Sequence, residues 1–248
     1  MEKIDLTGID RFTIQARILP LIVIVLPVCL SVAGLVSPSE LKTGILTGSL
    51  TGLALIAMIS QLGRDLGKRK EPRLFEKWQG TPTTVILRHT TSWLNRETLK
   101  RYHGKLSLLF GRPLPTEEDE KMDLQATDSV YESCRDILKE KTRGDERFRL
   151  VHEELINYNF RRNLWGHKPS GILLSTLSIF LPFLGLITSG LWNISFSKFG
   201  AIASIINACF LVLWVFRITP DWVKQAADAY AERLISSCEK ITEQEIAK

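Results

Sequence analysis

The sequence predicts a mainly α-helical membrane protein. Two helical hairpins supply four transmembrane helices, a mostly helical cytoplasmic domain lies between the hairpins, and a cytoplasmic amphipathic helix ends the chain. Three observations predict this. Residues 18–39, 43–63, 169–197 and 199–216 hold no Asp, Glu, Lys, Arg or His, and a run of about 18 such residues is long enough to cross the hydrocarbon core. Lys and Arg collect on one side of these runs. The stretch between the second and third runs carries helix start and stop signals. Whole-chain averages, 45% hydrophobic residues and a mean hydropathy of +0.05, hide the pattern because the apolar residues are blocked rather than spread.

The predicted spans are 18–36, 44–62, 171–189 and 199–216, which divides the chain into 1–63, 64–169, 170–217 and 218–248. Ser31-Val32-Ala33 resembles a signal-peptidase site. However, Glu2, Asp5 and Asp10 lie beside Arg11 and Arg17 ahead of the first run, and a second run follows closely, so an uncleaved hairpin is expected. Pro20, Pro27 and Pro182 interrupt spans one and three, where neighbouring helices must satisfy the freed carbonyls. The turns 37–42 and 190–198 hold one Lys each. The opposite side holds Arg11, Arg17, Arg64, Lys68, Arg69, Lys70, Arg161, Arg162, Lys168 and Arg217. The excess of positive charge places both termini and 64–168 in the cytoplasm.

The second span repeats every four residues, with Gly44, Gly48 and Gly52 on one stripe and Thr43, Thr47 and Thr51 on the next. The glycines allow another helix to approach closely. The threonines either bond back to the preceding turn or line a pore. Asn207 is the most polar central residue of the last span and is expected to bond between helices. Spans without ionisable side chains argue against a proton-coupled transporter.

In the cytoplasmic region, RLFEKW (73–78) reads as a short amphipathic turn ending at Gly80. Thr81-Pro82 is a helix start signal, although the β-branched TTVILRH fits a short strand as well. Asn95 caps a predicted helix 96–109, GRPLP (111–115) is a loop, and Thr116 caps an acidic helix running to about 140. TRGD (142–145) breaks it. Phe148, Val151, Leu155 and Ile156 mark an apolar stripe on a further helix that ends near Gly166. After Thr219-Pro220-Asp221, the residues Val223, Ala227, Tyr230, Leu234, Ser237 and Ile241 form a heptad-like seam. The seam serves either a partner helix or the chain's own cytoplasmic domain.

No catalytic motif emerges, and no enzyme activity or cofactor is expected. His89, His103, His152 and His167 lack ligand spacing, and no metal site is expected. RHTTSW (88–93) with KRYH (100–103) is the one enzyme-like cluster. Cys29, Cys134, Cys209 and Cys238 read as small buried hydrophobes. Charge is segregated along the domain: 64–112 has twelve Lys/Arg against four Asp/Glu, a net of +8, and 117–154 has seven against thirteen, a net of −6. Arg64, Lys68, Arg69, Lys70 and Arg73, next to a span, suit topology and anionic lipid. Arg88, Arg96, Lys100, Arg101, Lys105 and Arg112 are interleaved with Trp93, Tyr102 and His103, and Arg161 and Arg162 precede Trp165. Cations beside aromatic faces suit phosphates and stacked bases. These basic residues either bind an anionic nucleotide ligand or pair with the acidic helix.

This plan resembles the membrane effectors of bacterial anti-phage systems, and is similar in kind to the DNA-gated ion channel of the Hailong system. The similarity lies in the membrane core joined to basic residues such as Arg88, Arg96, Lys100, Arg101, Arg161 and Arg162. It implies a tetrameric channel in the bacterial inner membrane, control by an oligodeoxynucleotide, a nucleotidyltransferase partner, and depolarisation of the infected cell on opening. A membrane scaffold that recruits a soluble partner through its cytoplasmic domain and tail helix, and a carrier for an uncharged or anionic solute, are the alternatives.

Overall fold

The structure, a computed structural model, describes residues 11–35, 65–184 and 198–241. The second predicted span, with Thr43, Gly44, Thr47, Gly48, Thr51 and Gly52, lies outside the described residues, as does Arg64. The described residues are mainly helical and hold no strand, so TTVILRH does not take the extended alternative. They form two compact units. One comprises Met1–Glu71 and Asn159–Val223, the other Pro72–Tyr158 and Lys224–Lys248. The cytoplasmic domain expected over 64–169 is therefore shorter at both ends and includes the tail.

The first unit is built on three helices that pack pairwise: α1 (Leu19–Leu35, entered through a π-helical turn at Thr13–Ile18), α8 (Lys168–Phe180) and α9 (Lys198–Val212). Thr13–Leu35 and Lys198–Arg217 are long and apolar enough to cross a membrane, and Lys168–Phe183 is a shorter apolar helix. The side chains are arranged inside out. Leu177, Phe180, Phe199, Ile205 and Phe216 are 58–76% exposed, whereas Ser31, Ser175, Ser178 and Asn207 are at most 2% exposed. Water would favour the opposite arrangement. An apolar solvent does not, because it gives no drive to bury leucine and a strong drive to bury hydroxyls and amides. The same logic corrects two cysteines: Cys29 and Cys209 are exposed on this apolar exterior, while Cys134 and Cys238 are buried.

The prolines explain the polar interior. Each removes the N–H that would bond the carbonyl four residues earlier. For Pro20 that carbonyl is Ala16, and Asn163 Nδ2 donates to it at 2.8 Å. For Pro182 it is Ser178, and Ser31 Oγ donates to it at 2.6 Å, joined by Asn207 Nδ2 at 3.3 Å. Asn207 also reaches Pro27 O at 3.1 Å and Ser31 Oγ at 2.8 Å. The interhelical role expected of Asn207 is thus met, and its amide ties all three helices together. Two glycines set the spacing. A Cβ on Gly34 would lie 2.8 Å from Gly200 Cα, and one on Gly171 would lie 2.2 Å from the indole of Trp214. Leu21, Ile24, Leu164, Trp214 and Ile218 form the apolar core.

The second unit is organised around α6 (Leu124–Thr142), which packs against α3 (Pro82–Val85), α4 (Arg96–Phe110), α5 (Glu117–Met122) and the turn Ser237–Lys240. RLFEKW continues a longer helix, α2 (65–77), and is not a separate turn. Asn95 caps α4 through Thr98 N at 2.8 Å. Thr116 and Asp119 make a reciprocal capping box on α5. The acidic helix expected to run from 117 to 140 is broken at Asp123, whose carboxylate accepts from Ala126 N at 2.9 Å and starts α6 afresh. Gly144, at φ 71°, ends the α6 segment. α7 (Arg149–Gly166) buries Val151 and Ile156 beside Phe148. α10 (Pro220–Ser236) buries Ala227, Tyr230 and Leu234 within the chain. Tyr158 and Tyr230 stack at 6.3 Å. The seam is taken up by the chain itself, which removes it as a free docking face for another helix.

Candidate functional site

The residues singled out for anion binding fall in both units. In the second unit, α4 presents Leu99, Tyr102 and Leu106 inward, which turns Arg96, Lys100, Arg101 and Lys105 outward. Positions four apart on a helix rise about 6 Å and stay on one face. Arg96 with Lys100 and Arg101 with Lys105 therefore form two basic rows, one on each flank of the outward side of α4. Arg96, Lys100 and Lys105 make no ion pair among the described residues. Arg101 pairs with Glu239, which raises its pKa through that hydrogen bond. The pair is solvent-exposed and worth little, so a stronger anion can displace the carboxylate.

Arg88 behaves differently and leaves the ligand set. It is 4% exposed and forks onto Asp128, with Nε to Oδ1 at 2.9 Å and Nη2 to Oδ2 at 2.6 Å. Here the basic segment does pair with the acidic helix. The aromatic contacts also change. Tyr102 is 8% exposed, too enclosed to stack on a base. Trp93 donates to Glu232 at 2.6 Å and carries Lys224 over its ring at 5.4 Å.

The enzyme-like cluster forms a loop clamp. Glu120, 4% exposed, accepts from His89 N at 2.6 Å, from Thr90 N at 3.3 Å and from the Thr90 hydroxyl. His89 Nε2 meets Pro115 O at 3.1 Å and His103 Nε2 meets Leu87 O at 2.8 Å. Ser92 Oγ donates to Ile86 O at 2.6 Å. Glu120, His103 and Ser92 are spent on the backbone of the 86–95 loop, and His89 and Thr90 tie it to Pro115 and Glu120, which positions the N-terminal end of α4 and its basic rows. Sequence reasoning missed Glu120 and Asp128 as individual partners. Their signal was the opposed net charge of the two segments.

Burial lowers the pKa of His103, and nearby His89 lowers it further. Its folded pKa lies below the unfolded one, so the folded state prefers the neutral ring. Stability from this group is complete above about pH 6.5 and falls as pH drops from there toward the folded pKa. The second unit is expected to melt at lower temperature at pH 5 than at pH 7.5, and His103→Gln is expected to reduce that difference. Thermal melts of both proteins at the two pH values check this. Burial also pushes the thiols of Cys134 and Cys238 up, to about 11 and about 12, which leaves them unreactive near neutrality.

Arg161 and Arg162 belong to the first unit. Arg161 donates to Trp222 O at 3.0 Å and lies over the Trp222 ring. Arg162 is 9% exposed and donates to Glu71 at 2.9 Å and to Asn163 Oδ1. Of the basic residues expected beside the second span, Lys70 caps α7 by donating to Gly166 O at 2.6 Å, and Lys68, Arg69 and Arg73 are exposed. Among the described residues, no group of three or more His, Cys, Asp or Glu side chains is placed to hold a metal ion. No family model matches the chain, and neither a curated protein nor a solved structure matches it.

Proposed function

We propose that the chain is a multi-pass membrane protein of four transmembrane helices, with both termini cytoplasmic. It assembles as a homo-oligomer, a tetramer in the favoured form, and works as a ligand-gated ion channel or permeabilising effector in the inner membrane of a bacterium defending itself against phage. Its second unit takes an anionic nucleotide or short single-stranded DNA supplied by a nucleotidyltransferase. The reading rests on the outward side of α4, where Arg96 and Lys100 on one flank and the half-buried Lys105 on the other make no ion pair among the described residues, Lys105 standing one turn from the exchangeable Arg101–Glu239 pair. The inside-out arrangement of α1, α8 and α9 supports the membrane setting. Ligand shifts the channel only through a difference in affinity between its closed and open forms.

The test is ion flux from liposomes containing the purified protein, with and without a short oligodeoxynucleotide. Flux is expected to respond to the oligonucleotide in the wild type and to lose that response in Arg96→Glu/Lys100→Glu/Lys105→Glu. Loss of three phosphate contacts lowers the slope of log affinity against log salt by about 2 for a single strand. An unchanged slope in the triple variant removes α4 from the site, and wild-type liposomes that never leak remove the channel.

A further inference from the structure

Apart from the basic rows of α4, the first unit contains a cationic cavity. It measures about 230 Å³ and is lined by Phe12, Ala16, Arg17, Lys68, Asn159, Arg162 and Asn163. Three features indicate a built site. The π-helical turn Thr13–Ile18 brings Phe12, Ala16 and Arg17 to one wall, since positions four and five apart share a face when the turn is widened. Single π turns inside helices are frequent at functional sites. Asn163, 2% exposed, fixes that turn by donating to Ala16 O at 2.8 Å and accepts from Arg162. The carbonyl freed by Pro20 is thereby closed off, and the wall presents cations instead of a bare acceptor. Third, the charge is not balanced within the cavity. Arg162 is matched by Glu71 at 2.9 Å, while Arg17 lies over the Phe12 ring and neither Arg17 nor Lys68 makes an ion pair among the described residues. Three cations against one carboxylate leave two positive charges facing one small cavity.

We propose that this cavity binds a phosphate group, with Arg17 and Lys68 as its direct ligands and Arg162 held by Glu71 and Asn163 as the fixed rear wall. Planar guanidinium and mobile ammonium together match phosphate oxygens. Arg17 sits immediately before the apolar α1 at the end expected to meet the cytoplasm. Basic pockets in that position between helices receive the headgroups of anionic lipids. The phosphate of a lipid headgroup and free inorganic phosphate share this chemistry. The site stands whether or not α4 binds an oligonucleotide.

The experiment uses the full chain in nanodiscs and in detergent. Nanodiscs of phosphatidylcholine with added phosphatidylglycerol report lipid binding by native mass spectrometry, and calorimetry in detergent with inorganic phosphate reports the free anion. Wild-type protein is expected to retain phosphatidylglycerol over phosphatidylcholine, and Arg17→Gln/Lys68→Gln to lose at least tenfold in affinity. Lys68→Glu, at an exposed position, provides the test should the double variant fail to fold, with a loss of the same sign. Binding of phosphatidylglycerol alone assigns the site to lipid, and binding of inorganic phosphate as well assigns it to the phosphate group from either source. Equal affinity of wild type and Lys68→Glu, or binding of neither probe, overturns the proposal.

Discussion

Arg88→Ala is expected to destabilise the second unit by about 3–5 kcal/mol, the range for removing one partner of a buried ion pair. Arg88 is 4% exposed and Asp128 25%, and the guanidinium fork spends both carboxylate oxygens. Alanine leaves Asp128 without its counter-ion and vacates the space beside Gly80, where a Cβ would lie 2.9 Å from Arg88 Nη2. Chemical denaturation of the detergent-solubilised protein, followed by the fluorescence of Trp78 and Trp93 in a background where the other four tryptophans are replaced by Phe, measures the loss. The double replacement Arg88→Met/Asp128→Leu separates pairing from packing. With both charges gone no unpaired ion remains, so the double variant is expected within about 1–2 kcal/mol of wild type. A loss below about 0.5 kcal/mol in Arg88→Ala, the level of an ordinary surface substitution, shows that the pair does not hold the unit together.

This pair marks where the sequence stops being informative. Arg88 and Arg96 look alike in composition and context, yet one is buried and the other open. The difference is made by Asp128, forty residues further on, and by a loop that Glu120 holds shut. Features decided within four residues were legible: the Asn95 cap, the Thr116 cap, the TRGD break and the Thr219-Pro220 start all follow from local backbone chemistry. Asp123 escaped notice because an aspartate inside an acidic run is indistinguishable from its neighbours until its carboxylate closes on Ala126 N. Asn207 was legible for the opposite reason, being an isolated amide in an apolar run that must find partners. Cys29 and Cys209 were misplaced because the burial preference of cysteine is learned from proteins in water, and an apolar exterior gives a thiol no reason to hide. The tail seam had the right spacing, but spacing alone does not name the surface that covers it.

Gly171→Val is expected to cost the first unit about 3 kcal/mol, at the upper end of the usual range for overpacking. A Cβ at residue 171 falls 2.2 Å from Trp214 Cε2 and 2.4 Å from Cδ2, inside the ring's van der Waals surface. The ring cannot step aside, since Trp214 is 1% exposed and enclosed by Leu21, Ile24, Leu164 and Ile218. The helices must separate instead. In an apolar solvent that separation has a specific cost: no hydrophobic drive holds helices together, so the bundle depends on close contact and on interhelical hydrogen bonds. Parting α8 from its neighbours also strains Ser31 Oγ–Ser178 O and Asn207 Nδ2–Ser178 O, because Ser178 lies two turns along the same helix. Trp214→Ala opens the space that the valine needs. Gly171→Val/Trp214→Ala is therefore expected to be more stable than the sum of its single variants by at least about 1 kcal/mol, a coupling typical of residues in contact. Leu173→Ala, on a side chain 59% exposed, is expected to change stability by less than about 0.5 kcal/mol, as at a surface position. Thermal unfolding in detergent across these variants ranks them. A destabilising Leu173→Ala contradicts the inside-out bundle, because it shows a leucine that is buried rather than facing an apolar solvent, and a neutral Gly171→Val contradicts the Gly171–Trp214 contact, whose overlap is costly in any solvent.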